Sequence, residues 1–187
     1  MSSTGKPADS IRLQAIGIIH TPYTAAAGTP IQPVYGRGVE GKVQVSEPYA
    51  GALDDIEGFE RIWLIYWMDR TGRFQSRVVP YRDTRAHGLF ATRSPNRPNP
   101  IGISVVRLVR REGCTLYMCD IDILDGTPLL DIKPYVPEFD AFPASRAGWF
   151  DRAGVDRRVA DGRFHRQETV AAEPAIPKTA INRGQDP

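Results

Sequence analysis

Two arginines and two asparagines lie in a proline-rich stretch without any acidic residue, ATRSPNRPNPIGIS, residues 91–104. Its three prolines fix their own φ angles and push the preceding residues toward extended conformations. We therefore expect an ordered, extended loop that holds Arg93, Arg97 and Asn99 in place before a ligand arrives, which lowers the entropic cost of binding. Arginine suits bidentate contacts with phosphate or carboxylate. The same composition is also typical of a rigid turn between strands.

A second polar stretch, DILDGTPLLDIKPY (residues 122–135), contains the turn signal Asp125-Gly126. Asp125 and the backbone amides around Gly126 are candidates to bind hydroxyl or amino groups of a ligand, although a plain hairpin turn explains the same pattern. The loop TPIQP, residues 29–33, places two prolines around a glutamine and reads equally well as a linker.

Several classes of site are absent from the sequence pattern. Gly102 is the single glycine of residues 91–104, so neither the dinucleotide fingerprint nor the nucleotide-triphosphate loop is present there. No Ser-His-Asp, Cys-His or paired-carboxylate spacing supports hydrolysis by a nucleophilic side chain. The two cysteines, Cys114 and Cys119, and the three scattered histidines lack metal-ligand spacing, so we predict no metal.

Charge is distributed unevenly along a chain whose formal net charge is +2. Residues 84–111 carry six arginines and no acid, whereas residues 47–60 form an acidic block. Such local fields can attract an anionic partner even when the whole molecule is nearly neutral. Arginine outnumbers lysine twenty to four; this fits phosphate or carboxylate contacts, and a GC-rich genome would produce the same bias.

Short strands separated by glycine and proline turns dominate the pattern. We predict strands near residues 11–19, 43–45, 62–68, 77–81, 101–109, 114–124 and 129–135, and one weak helix near residues 49–60. In the strand at 114–124, Ile121 and Ile123 are expected on the face opposite Leu116 and Met118. Asp120 and Asp122 would share the latter face, which must then end in water or in a site. The pattern favours a mainly β protein, an antiparallel barrel or sandwich, without βαβ alternation.

The ends of the chain differ in composition from the middle. Residues 1–10 read as a flexible tail, residues 11–145 as the barrel domain, and residues 146–187 as a basic C-terminal extension that is largely mobile at its end. Trp149, Phe150 and Phe164 are possible anchors for that extension. The N-terminus lacks a secretory signal and no apolar run is long enough for a membrane helix, so we expect a soluble, cytoplasmic protein with no membrane partner.

Five motifs in this order resemble the TrmO-like family of S-adenosylmethionine-dependent tRNA methyltransferases. They are AIGIIHTPY (15–23), TPIQP (29–33), FERIWLIYW (59–67), GLFATRSPNRPNPIGIS (88–104) and LDGTPLLDIKPYVP (124–137). The likeness covers about residues 11–143. It implies a single-sheet antiparallel β-barrel with few short helices, a homodimer, and S-adenosyl-L-methionine bound near the dimer interface.

In that family the acceptor is the N6 nitrogen of threonylcarbamoyladenosine, beside the anticodon of tRNA. The resemblance implies donor-binding positions at Pro30, Ile31, Gln32, Asp69, Arg70, Arg93, Ile103, Leu124, Asp125, Gly126 and Thr127. We assign Arg97, Asn99 and Lys133 to the acceptor side, since arginine forks suit its phosphates and its threonyl carboxylate.

The expected roles are mainly positional, because methyl transfer from a sulfonium needs donor and acceptor held in line. Arg93 is expected to pair with the donor's carboxylate or to fix its loop, and Asp125 to bind the donor's adenosine or amino end. No general base is evident; Asp69 and Tyr135 are weak candidates.

Two features depart from the family pattern. Asp69 and Arg70 stand where relatives commonly place a histidine with a polar neighbour, and about forty residues replace a folded C-terminal domain. The alternatives are therefore a methyltransferase for a small molecule, or a non-catalytic module that binds S-adenosylmethionine or RNA.

Overall fold

Six antiparallel strands close into a barrel in the computed structural model, which describes residues 11–165. Residues 1–10 and 166–187, including the predicted flexible tail and mobile end, lie outside the described residues. The barrel strands are β1 Gly17–His20, β2 Glu40–Val45, β3 Arg61–Trp67, β6 Ile101–Glu112, β7 Thr115–Cys119 and β8 Thr127–Pro134, and a separate ribbon pairs β4 Arg77–Val78 with β5 His87–Gly88.

The strand order around the barrel is β1-β2-β7-β6-β3-β8, and β8 pairs with β1 to close the ring. The only α-helix among the described residues is α1, Pro137–Asp140. Five 3-10 helices fill connections, at Pro33–Tyr35, Glu47–Leu53, Ile56–Gly58, Leu89–Ala91 and Gly148–Arg152. The prediction of a mainly β antiparallel barrel with few short helices is confirmed.

Period-2 burial puts alternate side chains of each strand inside the barrel. On β3, Ile62 and Leu64 are fully buried and pack with Val106 of β6 in one core. The two faces of β3 differ less in solvent exposure than the faces of a strand in an open sheet, because the outward-facing residues of β3 are also half-buried. This explains why its sequence reads as a continuous apolar run.

Three predicted elements differ from the observed ones. The first strand begins at Gly17 rather than near residue 11, and the strand at 77–81 is reduced to two residues. The predicted helix near 49–60 is instead two 3-10 helices, separated by Asp55 in the left-handed conformation at φ 66°. Such a residue interrupts continuous helical geometry.

The predicted faces of residues 114–124 were wrong beyond β7. Asp120 has φ 66°, and its carboxylate accepts the Gly38 N–H at 3.0 Å and the Arg61 guanidinium at 3.0 Å. This left-handed residue shifts the side-chain alternation by one position. Ile121 and Ile123 therefore lie in the same core as Leu116 and Met118.

Gly102 is required by a close approach between β3 and β6. The two strands pair Tyr66 opposite Gly102, and a Cβ added at Gly102 would lie 2.1 Å from Cε2 of the Tyr66 ring. Tyr66 is only 8% exposed and its hydroxyl lies 3.1 Å from Ser104 Oγ, so moving the ring would break a buried contact. A side chain at position 102 and the observed position of Tyr66 exclude each other.

We expect Gly102→Ala to lower the free energy of unfolding by about 2 kcal/mol or more, because overpacking displaces a buried ring. Gly51→Ala is the matched control, since nothing lies within 4 Å of a Cβ at that position. Urea denaturation of both variants measures the effect. Equal stability of the two variants would contradict the proposed clash.

Candidate active site

Four chain connections meet at one end of the barrel, because neighbouring strands run antiparallel. They are the loop after β1, the end of β3, the loop leading into β6, and the turn between β7 and β8. Together they enclose a cavity of about 850 Å³. This volume is at the upper end of the range typical of small-molecule sites.

Most of the donor-binding residues implied by the family resemblance line this cavity. They are Pro30, Ile31, Gln32, Asp69, Arg70, Arg93, Ile103, Leu124 and Thr127. Arg97, which we assigned to the acceptor, lines it as well. Pro30 and Thr127, which are 97 positions apart in the sequence, are thus brought to one site by the closure of the barrel.

Two of the lining arginines connect the loops around the cavity. Arg93 donates a hydrogen bond to the Gln32 side-chain oxygen and so joins the loop before β6 to the loop after β1. Arg70 donates to the Asp125 carbonyl at 2.7 Å and to Thr127 Oγ1 at 3.0 Å. Arg70 therefore fixes the turn before β8.

Asp125 and Gly126 do not line the cavity, in contrast to our sequence interpretation. The Asp125 carboxylate accepts the Thr21 N–H at 3.1 Å and lies 3.3 Å from His20 Nδ1. The Thr21 N–H, with His20 as a further cause, holds the pKa of Asp125 below its usual range. The side chain thus joins β1 to the turn, and its contact with a donor's polar groups stays a prediction.

Asn99, Lys133 and Tyr135 also lie away from the cavity. Asn99 is exposed in the loop before β6, and Lys133 pairs with Asp131 on the outer face of β8 at 2.8 Å. Tyr135 packs on Trp63 with ring centroids 5.8 Å apart and lines a smaller cavity beside Arg61 and Asp120. Of the two weak candidates for a general base, only Asp69 is at the main cavity.

A chain of hydrogen bonds that we did not predict leads into the cavity through Tyr66, Ser104 and Asp122. Ser104 Oγ donates to Asp122 Oδ1 at 2.6 Å, and Tyr66 Oη lies 3.1 Å from Ser104 Oγ. Since the Ser104 proton is directed at Asp122, the Tyr66 hydroxyl is the donor to Ser104. Asp122 and Tyr66 both line the cavity, whereas Ser104 is 1% exposed.

Burial sets the protonation of this chain. Burial raises the pKa of Asp122 to about 7, and the Ser104 hydrogen bond and the Arg93 charge oppose that rise only in part. Burial and the neighbouring Asp122 raise the pKa of Tyr66, which stays protonated. Asp122 is thus a carboxyl that exchanges its proton near neutral pH, the property a general base requires. The sequence did contain a signal, namely two carboxylates in a strand-like pattern.

Four cavity-lining residues have a buried side-chain atom that makes no hydrogen bond among the described residues: Ser94 Oγ, Arg70 Nε, Arg82 Nε and His165 Nδ1. Arg70 Nε lies 3.4 Å from Asp69 Oδ1 in an ion pair, and Ser94 is only 6% exposed. Burial, together with the Arg70 charge, lowers the pKa of His165, so this ring is neutral at pH 7. Leaving buried polar groups without a hydrogen bond is costly.

Within residues 11–165, no group of three or more His, Cys, Asp or Glu residues is placed to hold a metal ion. In the same range, no helix is long and apolar enough to cross a membrane.

The raised pKa of Asp122 predicts a specific pH dependence of stability. Between its unfolded value of about 3.8 and its folded value of about 7, the native state keeps a proton that the unfolded state has lost. Stability is therefore lost as the pH rises through this window. We expect Asp122→Asn, which cannot ionise, to match the wild type at pH 4 and to be more stable by a few kcal/mol at pH 8.

Urea unfolding of both proteins at the two pH values measures this difference, with Asp69→Asn as the control for a carboxyl at the same cavity. Parallel pH dependences of the wild type and Asp122→Asn would show that Asp122 does not titrate in this range.

Comparison with known proteins gives these positions a family context. Residues 18–141 match the tRNA-methyltransferase O N-terminal domain. A probable S-adenosyl-L-methionine-binding protein of Pyrococcus abyssi is 51% identical over 152 residues, which are 80% of this chain and 82% of that protein. The tRNA (adenine(37)-N6)-methyltransferase of Escherichia coli is 34% identical over 154 residues, covering 77% of this chain and 66% of that enzyme.

Among solved structures, the crystal structure of TrmO from Pseudomonas aeruginosa superposes with a TM-score of 0.64 at 36% identity, covering 75% of this chain and 62% of that one. This chain therefore spans less than two thirds of the length of the solved TrmO chain. Residues 18–141, which match the family, contain all of the barrel except the first residue of β1, and most of the residues that line the cavity. This chain belongs to the tRNA-methyltransferase O N-terminal domain family.

Proposed function

We propose that this protein is an S-adenosyl-L-methionine-dependent methyltransferase that methylates N6 of threonylcarbamoyladenosine next to the anticodon of tRNA. The observation that carries the proposal is the convergence of the family motifs on one cavity of about 850 Å³ that also holds a titratable carboxyl, Asp122. The names of the relatives from Pyrococcus abyssi and Escherichia coli support the donor and the tRNA adenine acceptor.

The residues at the cavity fit the chemistry of the donor, which has a carboxylate, an amino group and an adenosine. Arg93 supplies a cation for the carboxylate, and Asp69 at the cavity supplies a carboxylate for the amino group. Pro30, Ile31 and Leu124 add apolar walls. When bound, the donor supplies an electrophilic methyl carbon.

In this proposal the protein contributes orientation and one proton acceptor. Arg70 holds the turn before β8, and the link from Arg93 to Gln32 holds the two loops opposite it. The acceptor nitrogen gains a methyl group and must lose its proton, and the Asp122 carboxylate takes that proton. Ser104 orients the carboxylate by donating to Oδ1. Asp125 joins β1 to the turn before β8, and its contact with the donor remains our prediction.

Arg97 remains our proposed contact for the anionic acceptor. It lines the cavity and is held by the Thr92 carbonyl at 3.0 Å, while its guanidinium lies over the Phe90 ring at 5.4 Å from the centroid. A cation fixed in this way suits the threonyl carboxylate of the modified base or a phosphate. The cytoplasm, where tRNA is modified, stays our predicted location.

A homodimer is part of the proposal and is supported by the outer face of β3 and β6. Ile101 and Ile103 are 41% and 51% exposed, and their neighbours across the strand pair are the half-buried Trp67 and Ile65. Contiguous apolar surface of this kind is typical of interfaces. Because Ile103 lies both on this face and at the cavity, a second copy packed there would complete the cavity wall.

Incubation of the protein with S-adenosylmethionine and tRNA that carries unmethylated threonylcarbamoyladenosine tests the function. We expect nucleoside mass spectrometry to detect the N6-methylated product.

Arg93→Ala should weaken donor affinity in calorimetry about tenfold, because a charge-assisted contact is lost. Arg85→Ala is the control, as this exposed arginine lies in the same basic stretch but away from the cavity.

Donor binding without methylation of tRNA would overturn the tRNA assignment and favour a small acceptor or a sensor. Unchanged affinity of Arg93→Ala would overturn the assignment of Arg93 to the donor.

The role of Asp122 predicts a pH profile. The pKa of about 7 means that the wild-type rate should rise with pH through neutrality and then level, as the carboxylate form becomes dominant. We expect Asp122→Asn to lose this rise and about 100-fold or more in kcat, while donor affinity in calorimetry changes by less than about threefold. Asp69→Asn, which removes the other carboxyl at the cavity, should keep the rise. A pH-dependent rate that survives in Asp122→Asn would exclude Asp122 as the base.

A further inference from the structure

A segment that follows the family domain returns to the cavity. We call residues 148–165 the strap; they lie beyond residue 141, where the family match ends. The strap runs antiparallel to the loop after β1, with an isolated bridge between Pro30 and Val159 and hydrogen bonds from the Ile31 N–H to the Arg158 carbonyl at 3.0 Å and from the Ala160 N–H to the Thr29 carbonyl at 2.8 Å. Its path is therefore fixed by the main chain.

Both ends of the strap are anchored by aromatic side chains. Phe164 is 5% exposed and lies in a small core with Val78 and Leu89. Trp149 stacks on His87 with ring centroids 4.6 Å apart, and its Nε1 donates to the Ala91 carbonyl at 2.7 Å. Each anchor contacts the segment between β3 and β6, while the middle of the strap pairs with the loop after β1, so the strap joins these two walls of the cavity.

The strap gives the cavity an aromatic and cationic wall. Trp149 and Phe150 line the cavity, and Phe150 is 45% exposed with the Arg82 guanidinium 5.2 Å from its ring centroid. Phe90 is 77% exposed, and the Arg97 guanidinium lies over its ring in a similar cation–π contact. All three aromatic residues and both arginines line the one cavity.

The strap shares this wall with Arg82 and with Phe90 and Arg97 of the motif at 88–104. The wall differs in chemistry from the side of the cavity at Pro30 and Leu124. Exposed aromatic rings beside arginines are the features with which proteins hold unpaired nucleotides, because every base has a face that stacks and every nucleotide brings a phosphate. Four arginines and two aspartates line the cavity; Arg70 pairs with Asp69, and Arg82 pairs with Asp156 of the strap. Arg93 and Arg97 form no salt bridge among the described residues, so the cavity keeps positive charge that favours an anionic ligand.

We propose that the strap forms the binding site for an unpaired nucleotide of the RNA acceptor, with Trp149, Phe150 and Phe90 stacking on bases and Arg82 and Arg97 contacting phosphate. This inference rests on the proposed function for the identity of the acceptor. It divides the cavity into a donor side made by the family domain and an acceptor side completed by the strap. The family motifs do not include the strap, so they do not predict this division.

The test measures binding of RNA and donor separately. The probes are a fluorescently labelled anticodon stem-loop RNA with adenosine 3′ to the anticodon, followed by anisotropy, and S-adenosylmethionine, followed by calorimetry. We expect Phe150→Ala and Trp149→Ala each to weaken RNA affinity about tenfold, in line with the loss of one stacked base, while donor affinity stays within about twofold. Phe142→Ala is the matched control, since this exposed aromatic residue lies away from the cavity and should change neither affinity.

Trp149 is also an anchor, so Trp149→Ala could change RNA affinity by loosening the strap. Phe150 is exposed and is not an anchor, so Phe150→Ala is the decisive variant. Unchanged RNA affinity in Phe150→Ala would overturn the inference, and so would a loss of donor affinity equal to the loss of RNA affinity. If the wild type neither binds RNA nor methylates tRNA, the proposed function itself fails. If the wild type methylates tRNA and the variants bind RNA as well as it does, only the strap assignment fails.

Discussion

The contact between the Tyr66 ring and the backbone at Gly102 is the constraint on which the rest of the site depends. It brings β3 and β6 together at the end of the barrel where the cavity opens. The same ring directs its hydroxyl to Ser104, and Ser104 in turn donates to Asp122. One position without a side chain thus allows both the packing of two strands and the orientation of the carboxyl that titrates near neutral pH.

The distribution of charge explains how a nearly neutral chain has a basic cavity. Arginines at the far end of β6 are paired: Arg111 contacts Asp54 and Glu57 of the acidic block, and Arg110 contacts Glu112. Arg93 and Arg97, from the same basic stretch, contact neutral oxygens instead. The acidic block and Glu112 therefore pair with arginines distant from the cavity. At the cavity, Arg70 and Arg82 pair with Asp69 and Asp156, whereas Arg93 and Arg97 form no salt bridge among the described residues.

Sequence reasoning was sufficient for features encoded locally and insufficient for those set by tertiary packing. Period-2 patterns predicted an antiparallel barrel or sandwich, and the family resemblance implied the barrel. Most of the donor-binding residues that the resemblance implied do line the cavity. The left-handed conformation of Asp120 depends on Gly38 and Arg61, which are distant in sequence, so the change of face after β7 was not visible. The pKa of Asp122 is set by burial, and the contacts of Asp125 by the position of β1; neither can be read from neighbouring residues.

The position of the strap in the chain has a consequence for the order in which the protein becomes competent during synthesis. The barrel closes when β8 pairs with β1, a contact between residues such as Leu129 and Gly17 that must wait until most of the chain has been translated. The strap emerges later still, and its main-chain bridge to Pro30 forms against a barrel that is already complete. A nascent chain on the ribosome would therefore have its core before it has its full cavity, so that recognition of a ligand on the strap side begins only after folding of the barrel is finished.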